Sequence, residues 1–411
     1  MAPPDHLVVW LHGDAIADLT KADADGERLT LRYHESALDR WPANSPLLSC
    51  SLLLGSGRHD ASAFVDGLLP EGDVRRRFAE RKKVASHQLF DLVRHYGRDI
   101  AGAVQFLEPG AAPQDDAGEV EPLDAPLLDE LVSDLDDNPF AMLDDSELSL
   151  AGVQDKMLLV ALGDGRWGRP RHGRPSTHIL KRDHPLMRGI VAAESDALTL
   201  ARASGLTTVA ARLEHHGGYD CIIVDRYDRV VEAGSVLGRI HQEDACQALG
   251  RPSTRKYETR LGGGGPELSE IADLLDRHAA DPVRELDRLV ATATFTALIG
   301  NADAHGKNIS LLLEGGRVTL APVYDTVPTV LWPNLNATAA MTIGGLLSLD
   351  GVTLESIERE AALWRHSKQR ARAAATTCAE SVLDAIGQGV IDEQSRLAVH
   401  VRRRAQRLLS A

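Results

Sequence analysis

The stretch 297–326, ALIGNADAHGKNISLLLEGGRVTLAPVYDT, constrains the fold more than any other part of the chain. An apolar helix end runs into Asn301, Asp303, His305, Lys307 and Asn308. An apolar strand (309–313), a Gly-Gly turn, a second strand (318–320) and then Tyr324 and Asp325 follow. Ionisable side chains are therefore carried on a short loop clamped by hydrophobic segments, which is how a fold holds a reactive carboxylate at a fixed place. The order Asp-x4-Asn, strand, turn, strand, Asp is what phosphoryl transfer requires. One carboxylate takes the proton of the attacking hydroxyl, while an amide and a second carboxylate hold Mg²⁺ against the phosphates. Alone, the spacing equally suits an ordinary helix and hairpin with solvated loop residues. The rest of the chain has to decide between them.

A length of 411 residues allows two or three domains. No apolar run approaches a membrane span, and the start MAPPDHLVVW lacks a charged leader with an apolar core, so a cytoplasmic protein with no membrane partner is expected. Cys50, Cys221, Cys246 and Cys378 form no C-x-x-C pair and are expected to be reduced thiols, neither a zinc site nor a disulfide frame. A net charge of −15 argues against a surface built to wrap nucleic acid. The segments 365–372 and 396–407 are locally basic, suited either to phosphate contacts or to a solvated helix face.

Residues 1–108 are expected to form a small α/β unit, with strands at 7–11, 29–33, 46–54 and 101–107 and helices at 61–69, 74–83 and 86–96. Residues 109–126, rich in Pro, Gly and acid, suggest a linker. In 127–229 a short acidic helix precedes the small-residue turn Ser149-Leu-Ala-Gly-Val-Gln-Asp-Lys156, then a strand at 157–162 and another ending in Lys181. A turn entering a hairpin, followed by a strand lysine, matches a nucleotide lid and a phosphate-binding lysine, although one glycine in the turn makes neither a G-x-G-x-x-G nor a Walker loop. The helix 190–203 carries Glu194, placed either to pair with Lys181 or to face solvent. The strand 219–224 empties into Asp225-Arg226-Tyr227, a polar connector of the kind whose backbone holds an adenine. Residues 230–411 are mostly helical: a helix beginning at His241, helices at 268–278 and 282–298, an irregular stretch 326–349, and helices after 354.

Lid, lysine, glutamate, connector, Asp-x4-Asn and hairpin Asp thus occur in the order a two-lobed phosphotransferase needs. SLAGVQDK, THILK, AAESDAL, DRYDR, HQEDACQALG, IGNADAHGKN and LAPVYD together resemble the HipA-type serine/threonine kinases, toxins of bacterial toxin–antitoxin pairs. FVDGLLPEGD and YGRDIAGAVQFL resemble the N-terminal domain that accompanies that kinase. The resemblance implies an α+β, two-lobed protein-kinase-like fold with a small mixed lobe (127–229), a larger helical lobe (230–411) and a small α/β domain packed on it.

By the same resemblance, Asp303 is the catalytic aspartate, Lys307 neutralises the γ-phosphate, and Asn308 and Asp325 are the Mg²⁺ ligands. Lys181 meets the α- and β-phosphates of ATP. Ala151, Gly152, Val153, Gln154, Asp155 and Lys156 form the loop that wraps them. Asp225, Arg226 and Tyr227 hold adenine, while His305 and Tyr324 line the nucleotide site. Ser149 is the autophosphorylated serine, and phosphate there would repel ATP's phosphates and expel the lid. The implied partners are a HipB-like DNA-binding antitoxin that carries most of the operator contact, and a translation-related substrate such as an aminoacyl-tRNA synthetase. A non-catalytic co-repressor scaffold and a small-molecule kinase remain as alternatives.

Overall fold

The computed structural model describes residues 5–113, 118–136, 156–163, 165–232, 235–258 and 263–410. In β1 (His6–Leu11) every second side chain, Leu7, Val9 and Leu11, is buried, the two-residue period of a strand with one face on a core. Then come β2 (Asp14–Lys21), β3 (Leu29–Tyr33), α1 (Glu35–Arg40), β4 (His59–Asp60), α2 (Ser62–Leu68), α3 (Gly72–Lys82), α4 (Leu89–Tyr96) and β5 (Val104–Leu107). The strands form an antiparallel sheet in the order β4-β3-β2-β1-β5. Phe64, Phe78, Phe90 and Tyr96 fill the core beneath it, and the Tyr96 hydroxyl donates to the Phe78 carbonyl at 2.9 Å. The expectations change here: β2, α1 and β4 are additional elements, and 46–54 is not a strand but an irregular segment with one bridge, Ser49 to Leu52.

The second unit contains β6 (Glu119–Leu123), α5 (Ala125–Ser133), β7 (Lys156–Ala161), β8 (Trp167–Arg171), β9 (His178–Arg182), α6 (Ile190–Ala203), β10 (Ala211–His216) and β11 (Tyr219–Asp225). Its sheet has the order β10-β11-β9-β7-β8-β6. Residues 119–123 were expected in a linker; they are its edge strand, paired with β8, which was also unforeseen. Pro122 is tolerated because β6 pairs on one side only. The apolar run in β7 reflects burial on both faces. Met157 and Leu159 pack with α5, while Leu158 joins the core of the N-terminal unit.

The third unit begins with the hairpin β12 (Arg229–Glu232) and β13 (Ser235–Arg239), then β14 (Gln242–Asp244), α7 (Ala245–Ala248), α8 (Leu268–His278) and α9 (Pro282–Ile299). There follow β15 (Ser310–Glu314), β16 (Arg317–Leu320), β17 (Thr338–Ile343), β18 (Leu346–Ser348), α10 (Leu354–Leu363), α11 (Lys368–Gly387) and α12 (Arg396–Leu409). A helix beginning at His241 does not form. Residues 242–244 pair with β15, and Asp244 caps the shorter α7 in a capping box with Gln247. The stretch 326–349 contains the pair β17–β18. The basic residues of α11 and α12 are largely committed to nearby acids: Arg370 to Asp287, Arg372 to Glu358, Arg402 to Glu393 and Arg404 to Asp350. No helix among the described residues is long and apolar enough to cross a membrane, and all four cysteines are free and buried. The expected α+β architecture of two lobes plus an N-terminal unit is therefore what the chain adopts.

A buried ionic network holds the N-terminal unit to the rest. Asp99 is fully buried, with Arg229 at 2.8 Å, Arg239 at 3.3 Å and Arg226 at 3.6 Å. Burial opposes ionisation of Asp99, but the guanidinium groups outweigh it and lower its pKa. Replacing Asp99 by Ala would leave these guanidinium groups buried without one of their acids, so a loss of about 3–5 kcal/mol is expected in urea unfolding. A loss below about 1 kcal/mol would show that the network does not fasten the unit.

Candidate functional site

Helix α9 starts at Asp281, whose side chain accepts from the Arg284 backbone N–H, with Pro282 in the first turn. It ends at Gly300 in the left-handed region (φ 76°), where an added Cβ would lie 2.3 Å from Val330. That stop delivers 301–308 into a cleft of about 680 Å³ between the lobes, a size usual for small-molecule sites. Asn301 braces the loop: its Oδ1 accepts from the Asp303 backbone N–H at 3.1 Å, and its Nδ2 donates to the Asp325 carbonyl at 3.3 Å.

Lys156, Lys181, Asp303, Asn308 and Asp325 all line the cleft. The Lys181 ammonium donates to Glu194 Oε1 at 2.7 Å and to Asp325 Oδ1 at 2.6 Å. Of the two readings of Glu194, the pairing is the one the fold realises, and the glutamate is 1% exposed. Burial pulls the Lys181 pKa down, but the Asp325 and Glu194 carboxylates outweigh it, so the lysine stays charged. The other Asp325 oxygen accepts from Asn308 Nδ2 at 2.7 Å. Asp325 has φ 54°, in the left-handed region that Asp tolerates better than most residues. Burial works against its ionisation, yet Lys181 keeps its carboxyl well below the usual range. Lys156 lies directly opposite Lys181 in the β7–β9 pair.

Other expected site residues sit as follows. His305 is buried, and burial followed by the Lys256 charge lowers its pKa to about 3, so the ring is neutral; among the described residues Nδ1 has no hydrogen-bond partner. The Tyr324 hydroxyl donates to the Lys307 carbonyl at 2.7 Å, and its ring lies 5.5 Å from that of Tyr227. Asp225, Arg226 and Tyr227 border the cleft. The Arg226 guanidinium is nonetheless engaged elsewhere, by Asp228, Ser176 and the Ile100 carbonyl, and the Arg226 N–H by the Thr177 carbonyl. Among these three, Arg226 serves the domain junction. Ala151, Gly152, Val153, Gln154, Asp155 and Ser149 lie outside the described residues.

Lys307 departs most from expectation. Its ammonium, expected at a γ-phosphate, is bound by Asp244 Oδ2 at 2.7 Å and by the Gly67 carbonyl of the N-terminal unit at 2.9 Å. Sequence reasoning gave no role to Asn301 or Asp244 and passed over Tyr257, whose hydroxyl donates to Asp303 Oδ1 at 3.1 Å. Asp244 and Tyr257 meet these partners only across the fold, and the second partner of Asn301, the Asp325 carbonyl, also comes from a separate segment. Lys307→Met would strip the buried Asp244 carboxylate of its cation and is expected to cost about 3 kcal/mol in chemical unfolding. An unchanged midpoint would exclude the bracing role.

Comparison with known proteins gives a consistent result. Residues 148–386 match the HipA-like C-terminal domain family, and residues 7–107 match the HipA N-terminal domain family. The Y4mE protein of Sinorhizobium fredii is 36% identical over 84% of this chain and 82% of its own. The serine/threonine-protein kinase toxin HipA of Shewanella oneidensis is 29% identical over 84% of this chain and 80% of its own. The structure of Shewanella oneidensis HipA in complex with HipB and operator DNA superposes with a TM-score of 0.79 at 25% identity, covering 98% of this chain and 96% of that one. With both domain families matched in order and the fold shared along nearly its whole length, the chain belongs to the HipA family.

Proposed function

We propose that the protein is an ATP- and Mg²⁺-dependent serine/threonine protein kinase of HipA type. The observation that carries this reading is the Lys181 ammonium shared between Glu194 and Asp325, with Asn308 on the second Asp325 oxygen. A kinase needs this set to seat phosphates and metal together. Asp303 would take the proton of the attacking serine hydroxyl. The new oxygen–γ-phosphorus bond forms as the bond to the bridging oxygen of ADP breaks. Lys156 and Lys181 would orient the phosphates, and Tyr227 and Tyr324 would flank the nucleotide.

The donor set fits Mg²⁺. Asn308 Oδ1 is buried with no hydrogen-bond partner among the described residues, and Asp325 next to it is held ionised, so hard oxygen donors stand side by side. When bound, the metal would neutralise charge on the phosphate oxygens. Asn308 and Asp325 would hold it. By the family resemblance, the acceptor is a translation-related protein such as an aminoacyl-tRNA synthetase, and phosphorylation of Ser149 would switch the enzyme off. A HipB-like antitoxin would carry most of the contact to operator DNA, as suits a chain of net charge −15.

Incubation with labelled ATP and Mg²⁺ is expected to label the protein itself or a cellular protein. Asp303→Asn should reduce transfer by at least about 10²-fold while nucleotide still binds. Equal labelling by the variant would refute the assignment. A second expectation concerns pH. Burial, reinforced by the Lys181 charge, lowers the Lys156 pKa to about 8. Lys156 is protonated below that value and neutral above it, and a polyphosphate prefers the charged form, so ATP affinity should fall as pH rises from about 7 to 9. Calorimetric titration should show this fall in the native chain and a flatter profile in Lys156→Arg, whose guanidinium stays charged. A pH-independent native affinity would remove Lys156 from the phosphate site.

A further inference from the structure

The N-terminal unit reaches the catalytic loop at a second point besides Lys307. Glu71, the residue that precedes α3, borders the cleft, and its Oε2 accepts from the Lys256 ammonium at 2.8 Å. Both side chains are 12% exposed, and the two residues lie 185 positions apart in sequence. Glu71 Oε1 is buried and has no hydrogen bond among the described residues, while the other oxygen holds Lys256. The Lys256 carbonyl accepts from the Gly306 N–H at 3.0 Å, inside the catalytic loop. A Cβ on Gly306 would lie 2.5 Å from Pro266 and 2.9 Å from Cys246 Sγ, so this close approach requires glycine.

The next residue, Tyr257, has its carbonyl bound by the Gly265 N–H at 3.0 Å. Its ring meets His305 edge-on with centroids 5.1 Å apart, and its hydroxyl donates to Asp303 Oδ1. A carboxylate that must take a proton from one direction works only if its rotation is fixed. A phenol on a pinned backbone, packed against a buried ring, supplies that constraint.

We propose that Tyr257 and Glu71 are positioning residues for phosphoryl transfer: Glu71 anchors Lys256, this seats Tyr257, and the Tyr257 hydroxyl fixes the Asp303 carboxylate. The N-terminal unit thereby completes the phosphoacceptor side of the cleft. This rests on the kinase reading above. The acceptor protein is then received on a surface to which both the helical lobe and the N-terminal unit contribute.

The test compares the full-length chain with Tyr257→Phe, Glu71→Ala and the double variant in Mg²⁺-ATP transfer, with Asp303→Asn as control. Tyr257→Phe keeps the ring on His305 and removes only the hydroxyl. Its kcat should fall about tenfold, with KM for ATP and the melting temperature unchanged. Glu71→Ala should lower kcat about threefold, and the double variant should be no slower than Tyr257→Phe, because the two act through one contact. If native transfer occurs and depends on Asp303 but Tyr257→Phe leaves kcat unchanged or raises it, the positioning role is overturned while the kinase reading stands. Multiplicative effects in the double variant would break the link between Glu71 and Tyr257. Absence of transfer by the native chain would remove both readings.

Discussion

The Lys181 ammonium, set between Glu194 and Asp325, is the contact on which the cleft depends. Lys181 belongs to a strand of the small lobe, Glu194 to the helix behind that strand, and Asp325 to the chain after the β15–β16 hairpin of the helical lobe. One cation thus ties three separate elements. Its burial makes the arrangement demanding, since a buried ammonium with too few partners is costly. Asn308 takes the remaining Asp325 oxygen, so the orientation of the carboxylate follows from the ion pair and sets the place of the amide. The left-handed backbone at Asp325 is held by these contacts and by Asn301 on its carbonyl.

The N-terminal unit enters this arrangement structurally, not as a separate appendage. Its Asp99 lies among Arg226, just before β12, and Arg229 and Arg239, at the paired ends of β12 and β13, and its Gly67 carbonyl receives Lys307. Leu158 and Ile179, on two central strands of the small lobe, pack into its hydrophobic core. Removing such a unit would expose apolar faces and orphan buried charges at once, and the second cost is the larger per group. The connector after β11 and the loop after α9 are both supported from this side, so the two walls of the cleft share one foundation.

Much of the architecture was legible along the chain. The helices expected at 190–203, 268–278 and 282–298 form within a residue of those bounds. The segments that misled did so for identifiable reasons. Residues 242–250 have the composition of a helix start, and the last part does form one, but 242–244 find a strand partner in β15, some seventy residues later. The acidic stretch 119–123 has no strand periodicity of its own, and it becomes a strand because β8 offers an unpaired edge.

By itself the sequence determined which side chains are carried on the loop between α9 and β15, their order relative to Lys181 and Glu194, and the division into a strand-rich and a helix-rich half. These depend on local spacing and periodicity, which a linear chain displays directly. Only the tertiary structure decided where the charges go. Lys307 turned to Asp244 and Gly67, Arg226 to Asp228 and Ser176, and Tyr257 to Asp303. A buried charge takes whichever opposite partner the packing brings within hydrogen-bond reach, and for these residues nearly all such partners come from distant parts of the chain.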